Sequence, residues 1–233
     1  MLVLSCLALH LRLILSESAT NKIAGIATVW LIDSRTVTDE QLAPLLSWLS
    51  ISEIERYKRF MRPLRQRQFL IGRLLLRCVL ARTLNIAVNS IVLTEQANNA
   101  PLLHIPNLTN TPEFSLSHTG NWIACAVSLS TQLGLDIEEL NTSRDLHALS
   151  QQAFSADENA WLALQADDSK VAAFYQLWSR KEAHYKLTQS HALPHNDYCY
   201  TLPHPAISIV LCTEFELGEL PKLETVDWVK LLP

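Results

Sequence analysis

Two carboxylates one residue apart, Asp136 and Glu138, stand in the run LGLDIEEL (133–140). If the run is a strand, both project to one side while Leu135 and Ile137 face the other. Two carboxylates on one sheet face repel unless a cation or basic group lies between them. Strand-borne oxygens suit Mg²⁺, which commonly takes one or two carboxylates plus substrate phosphate oxygens. The plainer alternative is a strand end meeting solvent, where Asp-x-Glu costs little. Glu139 points the other way and is not assigned to a metal. A second stretch, WSRKEAHYK (178–186), reads as helix, because Phe174, Leu177, Trp178 and Tyr185 recur at the spacing of one buried stripe. Trp178, Glu182 and Lys186 are four apart in succession and share a face. Taken alone, Glu182 with Lys186 is an ordinary surface ion pair. A third stretch, FSLSHTG (114–120), sets Ser117 and His118 where a strand meets a turn. There backbone N–H groups and an imidazole can converge on an anion. His184, His191 and His195 are read as surface residues, since Pro194 breaks any shared helix face.

The chain has 233 residues, 48% of them hydrophobic, enough for one large domain or two modest ones, each with a core. Its net charge of −4 disfavours a general nucleic-acid binder. The charge is uneven, however. Nine Lys and Arg residues lie between Arg56 and Arg82, and no acidic residue follows until Glu95. Such a run is either a solvated helix face or the wall of a pocket for a polyanion. Five scattered cysteines without paired spacing suit a reducing cytoplasm and exclude a cysteine zinc site. No run of 18 apolar residues occurs, which argues against a membrane-spanning helix. Glycine is scarce at five residues, so Rossmann and P-loop phosphate loops are excluded.

The elements that must position these groups come in two rounds. A strand over 26–32 precedes helices over 38–49, 52–60 (capped by Ser52 with Glu55) and 65–84, with Pro63 interrupting before the last. Loops are expected over 98–101 and 106–112. Strand-like runs at 114–117, 121–130 and 133–140 predict an antiparallel meander. Helices over 145–154, 157–165 and 169–188 follow, then strands at 198–202, 206–213 and 225–232. This pattern predicts an α+β fold of two similar halves with largely antiparallel sheets, 25–130 and 131–233, after an extension over 1–24. A secretory signal fits that extension poorly, because it lacks a basic start and His10 and Arg12 interrupt its apolar run.

FSLSHTG, GLDIE (134–138) and WSRKEAHYK, in this order, resemble the three signatures of the 4′-phosphopantetheinyl transferases: F-x-x-S-H-x, G-x-D-x-E and W-x-x-K-E-A-x-x-K. RF…FLIGRLLLR (59–77) resembles the family's arginine-rich helix, and the likeness runs from about residue 26 to 186. The length is similar to the family's long class, a two-half pseudodimer that works as a cytoplasmic monomer. The resemblance implies transfer of the phosphopantetheine arm of coenzyme A to a serine of an apo acyl or peptidyl carrier protein, releasing adenosine 3′,5′-bisphosphate. It implies Mg²⁺ on Asp136, Glu138 and Glu182, with Glu182 taking the serine proton and Lys186 neutralising the leaving phosphate. Lys181 would be a second cation there, and Ser117 and His118 would hold a coenzyme A phosphate. Two family cations are absent, at Gln68 and Ala100, and Arg67 is the expected replacement for the first. The family's glycines after the last lysine are reduced to Ser190-His191-Ala192-Leu193. The resemblance leaves the pathway open among fatty acid, polyunsaturated lipid, polyketide and non-ribosomal peptide synthesis. Two other readings use the same residues: a Mg²⁺-dependent nucleotide pyrophosphatase, and a non-catalytic protein that binds coenzyme A or a carrier.

Overall fold

The structure is a computed structural model that describes residues 26–97, 99–108, 110–188 and 198–232. The extension over 1–24, His191, His195 and the Ser190 to Leu193 stretch lie outside the described residues. In chain order the elements are β1 (Ala27–Asp33), α1 (Asp39–Leu42), α2 (Ile51–Arg59), α3 (Pro63–Leu84), β2 (Val92–Gln96), β3 (Asn99–His104), β4 (Glu113–Thr119), β5 (Trp122–Ser128) and β6 (Leu133–Glu139). Then come α4 (Leu146–Ala153), α5 (Ala156–Ala163), α6 (Lys170–Thr188), β7 (Tyr198–Thr201), β8 (Ile207–Thr213), β9 (Lys222–Thr225) and α7 (Trp228–Leu231). The fold is α+β with mostly antiparallel sheets, as expected.

Four layers carry it. One sheet has the order β4-β5-β1-β9, and a second has β6-β8-β7. Ala27, Val29 and Leu31 of β1 and Ala124 and Ala126 of β5 face Leu135, Ile137, Ile209 and Leu211 of the second sheet, closing a core between the sheets. The opposite faces, Ile32 and Cys125 on one side and Val210 and Cys212 on the other, are covered by α3 and α6. Strand alternation supplies both contacts from the same strands.

Local chemistry explains most element ends. Pro63 opens α3, where its missing N–H costs nothing, and Asn85 stops it in the left-handed region with φ of 52°. The capping box of α2 is Ser50 with Glu53, two residues earlier than expected. Ser52 instead receives the Glu95 N–H and ties α2 to β2. Pro44 divides the expected helix over 38–49 into α1 and a 3-10 segment, Ala43–Trp48.

Four expectations need correction. The third tail strand is shifted: β9 ends at Thr225, and the residues that follow form α7, capped by Asp227. Residues 99–104, read in part as loop, form β3. The meander stops at β5, because β6 pairs with β8 and opens the second sheet. The boundary between halves is crossed by the tail: β9 runs parallel to β1, and Trp228 and Leu231 enter the core under α3. Cys199 and Cys212, which show no paired spacing in sequence, face each other across β7 and β8 with Cα atoms 4.0 Å apart and their sulfurs joined. Pairing depends on strand register, which spacing does not reveal, and the joined pair removes the scattered cysteines as an argument for a reducing cytoplasm.

Gly134 of β6 allows α6 to lie almost on the strand backbone. A Cβ there would meet the Ala183 carbonyl oxygen and stand 2.8 Å from the Leu187 nitrogen. Gly134→Ala must therefore push α6 away, at a cost of about 1–3 kcal/mol or more. Urea unfolding should show that loss, and an unchanged midpoint would mean that α6 does not press on β6.

Candidate active site

A cleft of about 470 Å³ opens between α3, β4 and α6. Arg65, Gln68, Phe69, Gly72 and Arg73 line one wall. Their spacing of three, four, seven and eight residues is that of a single helix face. Arg56 of α2 and Asn99, Ala100 and Pro101 of β3 close one side, and Ser115, Ser117, His118, Tyr185 and Lys186 form the opposite wall.

The basic run is sorted by two carboxylates that flank it in sequence. Arg77 donates to Glu53 Oε1 at 2.9 Å and Oε2 at 2.5 Å, and both side chains are fully buried. Arg73 donates to Glu95 Oε1 at 2.7 Å, while Arg56 pairs with Glu95 Oε2. Arg65 has no carboxylate partner among the described residues and rests on the Phe60 ring, 4.8 Å from its centroid. Burial lowers its pKa, and so do the charges of Arg56 and Arg73. A guanidinium among like charges, facing a cleft, is where an anion gains most.

Arg67 does not belong to this wall. It pairs with Asp39 and donates to the Ser34 carbonyl at 3.0 Å and to that of Val37. The reason is angular: two residues beyond Arg65, it points about 200° away around the helix. Gln68 donates to the Gly120 carbonyl at 2.8 Å and pins the turn behind His118.

On the other wall, Lys186 Nζ donates to Asp136 Oδ1 at 2.8 Å, Leu135 O at 2.8 Å and Ser117 Oγ at 3.0 Å. These bonds use all its N–H donors. Ser117 Oγ also accepts from Ile137 N at 3.2 Å and donates to Asp136 Oδ1 at 3.1 Å, so its one donor and two lone pairs are taken. Ser117 thus braces the carboxylate strand and has no bond left for a phosphate. Lys186 lines the cleft as the counter-ion of Asp136.

Asp136 is 5% exposed, and its Oδ2 is buried without a hydrogen-bond partner. Glu138 is half-buried; desolvation, then the Asp136 charge, pushes it up to about 7. An orphaned carboxylate oxygen beside a second carboxylate that resists ionising is the signature of a place wanting positive charge. The donor set is oxygen only, which fits Mg²⁺. Among the described residues, no group of three or more His, Cys, Asp or Glu side chains converges closely enough to hold a metal ion. Glu182 therefore does not close the expected triad in this structure. It lies one turn before Lys186 on α6, half-buried, and makes no hydrogen bond or ion pair with a described residue. Nor does the Glu182–Lys186 surface pair exist, because Lys186 has turned to Asp136.

Lys181 is elsewhere too. Its Nζ donates to Glu158 Oε2 at 2.9 Å and lies 5.9 Å from the Phe154 ring centroid, tying α6 to α5. His184 is buried, at 5% exposure, rather than on the surface. Phe174, Leu177 and Trp178 pack with Phe154 as the stripe predicts, but Tyr185 lines the cleft. The residues that sequence reasoning left undivided are Arg56, Arg65 and Arg73. The signal that separates Arg65 and Arg73 from Arg67 is the face they share with Gln68 and Gly72.

Comparison with known proteins meets this geometry at both walls. The profile of the 4′-phosphopantetheinyl transferase superfamily matches residues 132–218, and that of the 4′-phosphopantetheinyl transferase N-terminal region matches 35–130. The chain belongs to the 4′-phosphopantetheinyl transferase superfamily. It is 32% identical over 150 residues to 4′-phosphopantetheinyl transferase HetI of Nostoc sp., covering 64% of this chain and 63% of that protein. It is 35% identical over 150 residues to 4′-phosphopantetheinyl transferase psf-1 of Bacillus pumilus, covering 64% and 60%. With 4′-phosphopantetheinyl transferase Sfp of Bacillus subtilis the identity is 30% over 152 residues, 65% of each chain. The matches thus span less than two thirds of these relatives' length. No helix among the described residues is long and apolar enough to cross a membrane.

His118 supplies a test of the electrostatics of this superfamily member's cleft. Desolvation, with Arg65 and Lys186 beside it, pushes its imidazole down to about 4. His118 should therefore be neutral at pH 6, and its ring resonances in NMR should titrate well below the ordinary 6.5. Pyrophosphate bound in the cleft should raise that midpoint, because its charge opposes the flanking cations. A midpoint at 6 or above in the free protein would show that the cations do not act on this ring.

Proposed function

We propose that this chain transfers the 4′-phosphopantetheine arm of coenzyme A to a serine of an apo acyl or peptidyl carrier protein, as a cytoplasmic, Mg²⁺-dependent monomer. The observation that carries the reading is a cation-lined cleft whose wall residue Lys186 is bonded to Asp136 of the carboxylate pair, in a chain of this superfamily. The serine oxygen attacks the phosphorus that bears the pantetheine arm. The bond from that phosphorus to the bridging pyrophosphate oxygen breaks, and adenosine 3′,5′-bisphosphate leaves with the electron pair.

Asp136 and Glu138 would hold Mg²⁺. Bound there, the ion would neutralise charge developing on the pyrophosphate oxygens. The chain's own groups do the rest. Arg65 binds a phosphate in the cleft, with Arg56 and Arg73 adding positive potential although Glu95 already engages them. His118 donates to the nucleotide phosphate as a neutral imidazole. Lys186 holds the Asp136 carboxylate in its orientation. Glu182, which makes no hydrogen bond or ion pair with a described residue, takes the serine proton.

The direct test is mass spectrometry of apo carriers incubated with this protein, coenzyme A and Mg²⁺. The carrier should gain the phosphopantetheine mass at one serine. Coenzyme A cleaved without an acceptor would favour a nucleotide pyrophosphatase, and binding without turnover a non-catalytic protein.

Two variant series follow from the assigned roles. Arg65→Ala should raise the KM for coenzyme A by roughly tenfold or more, the value of a charge-assisted bond. Arg67→Ala should leave KM alone and lower the melting temperature; the reverse pattern would return the phosphate to Arg67. Glu182→Gln keeps shape and hydrogen bonding, so folding should survive while turnover falls by roughly a hundredfold. A near wild-type rate for Glu182→Gln would remove Glu182 from the chemistry.

A further inference from the structure

The strands β4 and β6 lie side by side without forming a backbone ladder, and β4 bridges the gap with alternate hydroxyls. Ser115 Oγ accepts from Leu135 N at 3.0 Å, Ser117 Oγ from Ile137 N at 3.2 Å, and Thr119 Oγ1 from Glu139 N at 3.1 Å. Two of these hydroxyls also donate. Ser117 reaches Asp136 Oδ1 at 3.1 Å, and Thr119 reaches Glu138 Oε2 at 3.4 Å. The device is the same both times: the hydroxyl accepts the N–H of one residue and donates to the carboxylate of the residue before it. At Ser115 the residue before is Gly134, which has no side chain. Its hydroxyl makes the seam bond alone.

We propose that Ser117 and Thr119 are positioning residues that set the Asp136 and Glu138 carboxylates through this repeated hydroxyl seam. Each anchors one carboxylate oxygen to β4; Oδ2 of Asp136 is left buried without a partner, and Oε1 of Glu138 accepts no hydrogen bond from a described residue. Free oxygens held in fixed directions by partners behind them are what an oxygen-preferring divalent cation requires. A hydroxyl that both accepts a backbone N–H and donates to the carboxylate cannot rotate without losing one bond, so the carboxylate inherits the rigidity of two strands. The proposal rests on the transferase reading for the use of the cation but not for its binding.

Mn²⁺ can report on the carboxylates without turnover, through binding measured by electron paramagnetic resonance on the intact chain. Ser117→Ala and Thr119→Val should each weaken Mn²⁺ binding by about tenfold, the usual effect of removing a partner behind a metal ligand. Ser115→Ala, which breaks the same seam bond but touches no carboxylate, should lower the melting temperature and leave Mn²⁺ binding unchanged. Thr119→Ser should restore binding, and it also covers the case in which Ser117→Ala does not fold. Wild-type affinity in both Ser117→Ala and Thr119→Val, or equal weakening in Ser115→Ala, would overturn the positioning role. A wild-type protein that binds Mn²⁺ yet modifies no carrier would leave this role standing and remove the transferase reading. One that binds no Mn²⁺ would overturn both.

Discussion

The contact on which the site depends is the absence of a side chain at Gly134. It lets the backbone of α6 come down onto β6, where any Cβ would strike the Ala183 carbonyl. Only from that height does the Lys186 amine reach Leu135 O and Asp136 Oδ1 together, at 2.8 Å each. The amine in turn holds a carboxylate that is nearly excluded from water, and a buried charge without a partner is costly. Remove the close approach, and the helix that carries Glu182 and Lys186 loses its register on the strand that carries Asp136 and Glu138.

The opposite wall of the cleft is ordered by charge rather than by contact. Glu53 and Glu95 enter from either side of the basic run and engage Arg77, Arg73 and Arg56. Such buried pairs contribute little net stability, because desolvation offsets their attraction. Their effect is geometric. They fix α2, α3 and β2 as one body and leave Arg65 as a wall cation without a carboxylate among the described residues. Specificity for an anion then lies in what the network leaves uncompensated.

The tail ties this arrangement together. β9 adds to the sheet of the first half, and Trp228 and Leu231 fill the core beneath α3. The second sheet is drawn against the first from both ends, by β4 through its hydroxyls and by the chain that returns after β8. The Cys199–Cys212 contact closes β7 onto β8 under α6, beside Val210 and Ala183.

Some of this was legible in the residues. Alternation and helical spacing placed β1, β4, β5, β6, α3 and α6, because a half-buried strand and an amphipathic helix write their periods directly into the chain. The three motifs marked the carboxylate pair and the α6 helix, since chemistry at a site demands residue types at set spacings. Partner choice was not legible. The sequence shows Lys181, Glu182 and Lys186 on neighbouring turns, yet Lys181 turns to Glu158, Lys186 turns to Asp136, and Glu182 pairs with neither. It shows Ser117 beside His118, yet the hydroxyl is consumed by β6 while the imidazole faces the cleft. Arg65 and Arg67 are the same residue type two positions apart, and about 200° of helical turn sends one to the cleft and the other to Asp39. Periodicity is a property of one segment and can be read from it. A hydrogen bond belongs to two, and the distance between them exists only once the layers have packed.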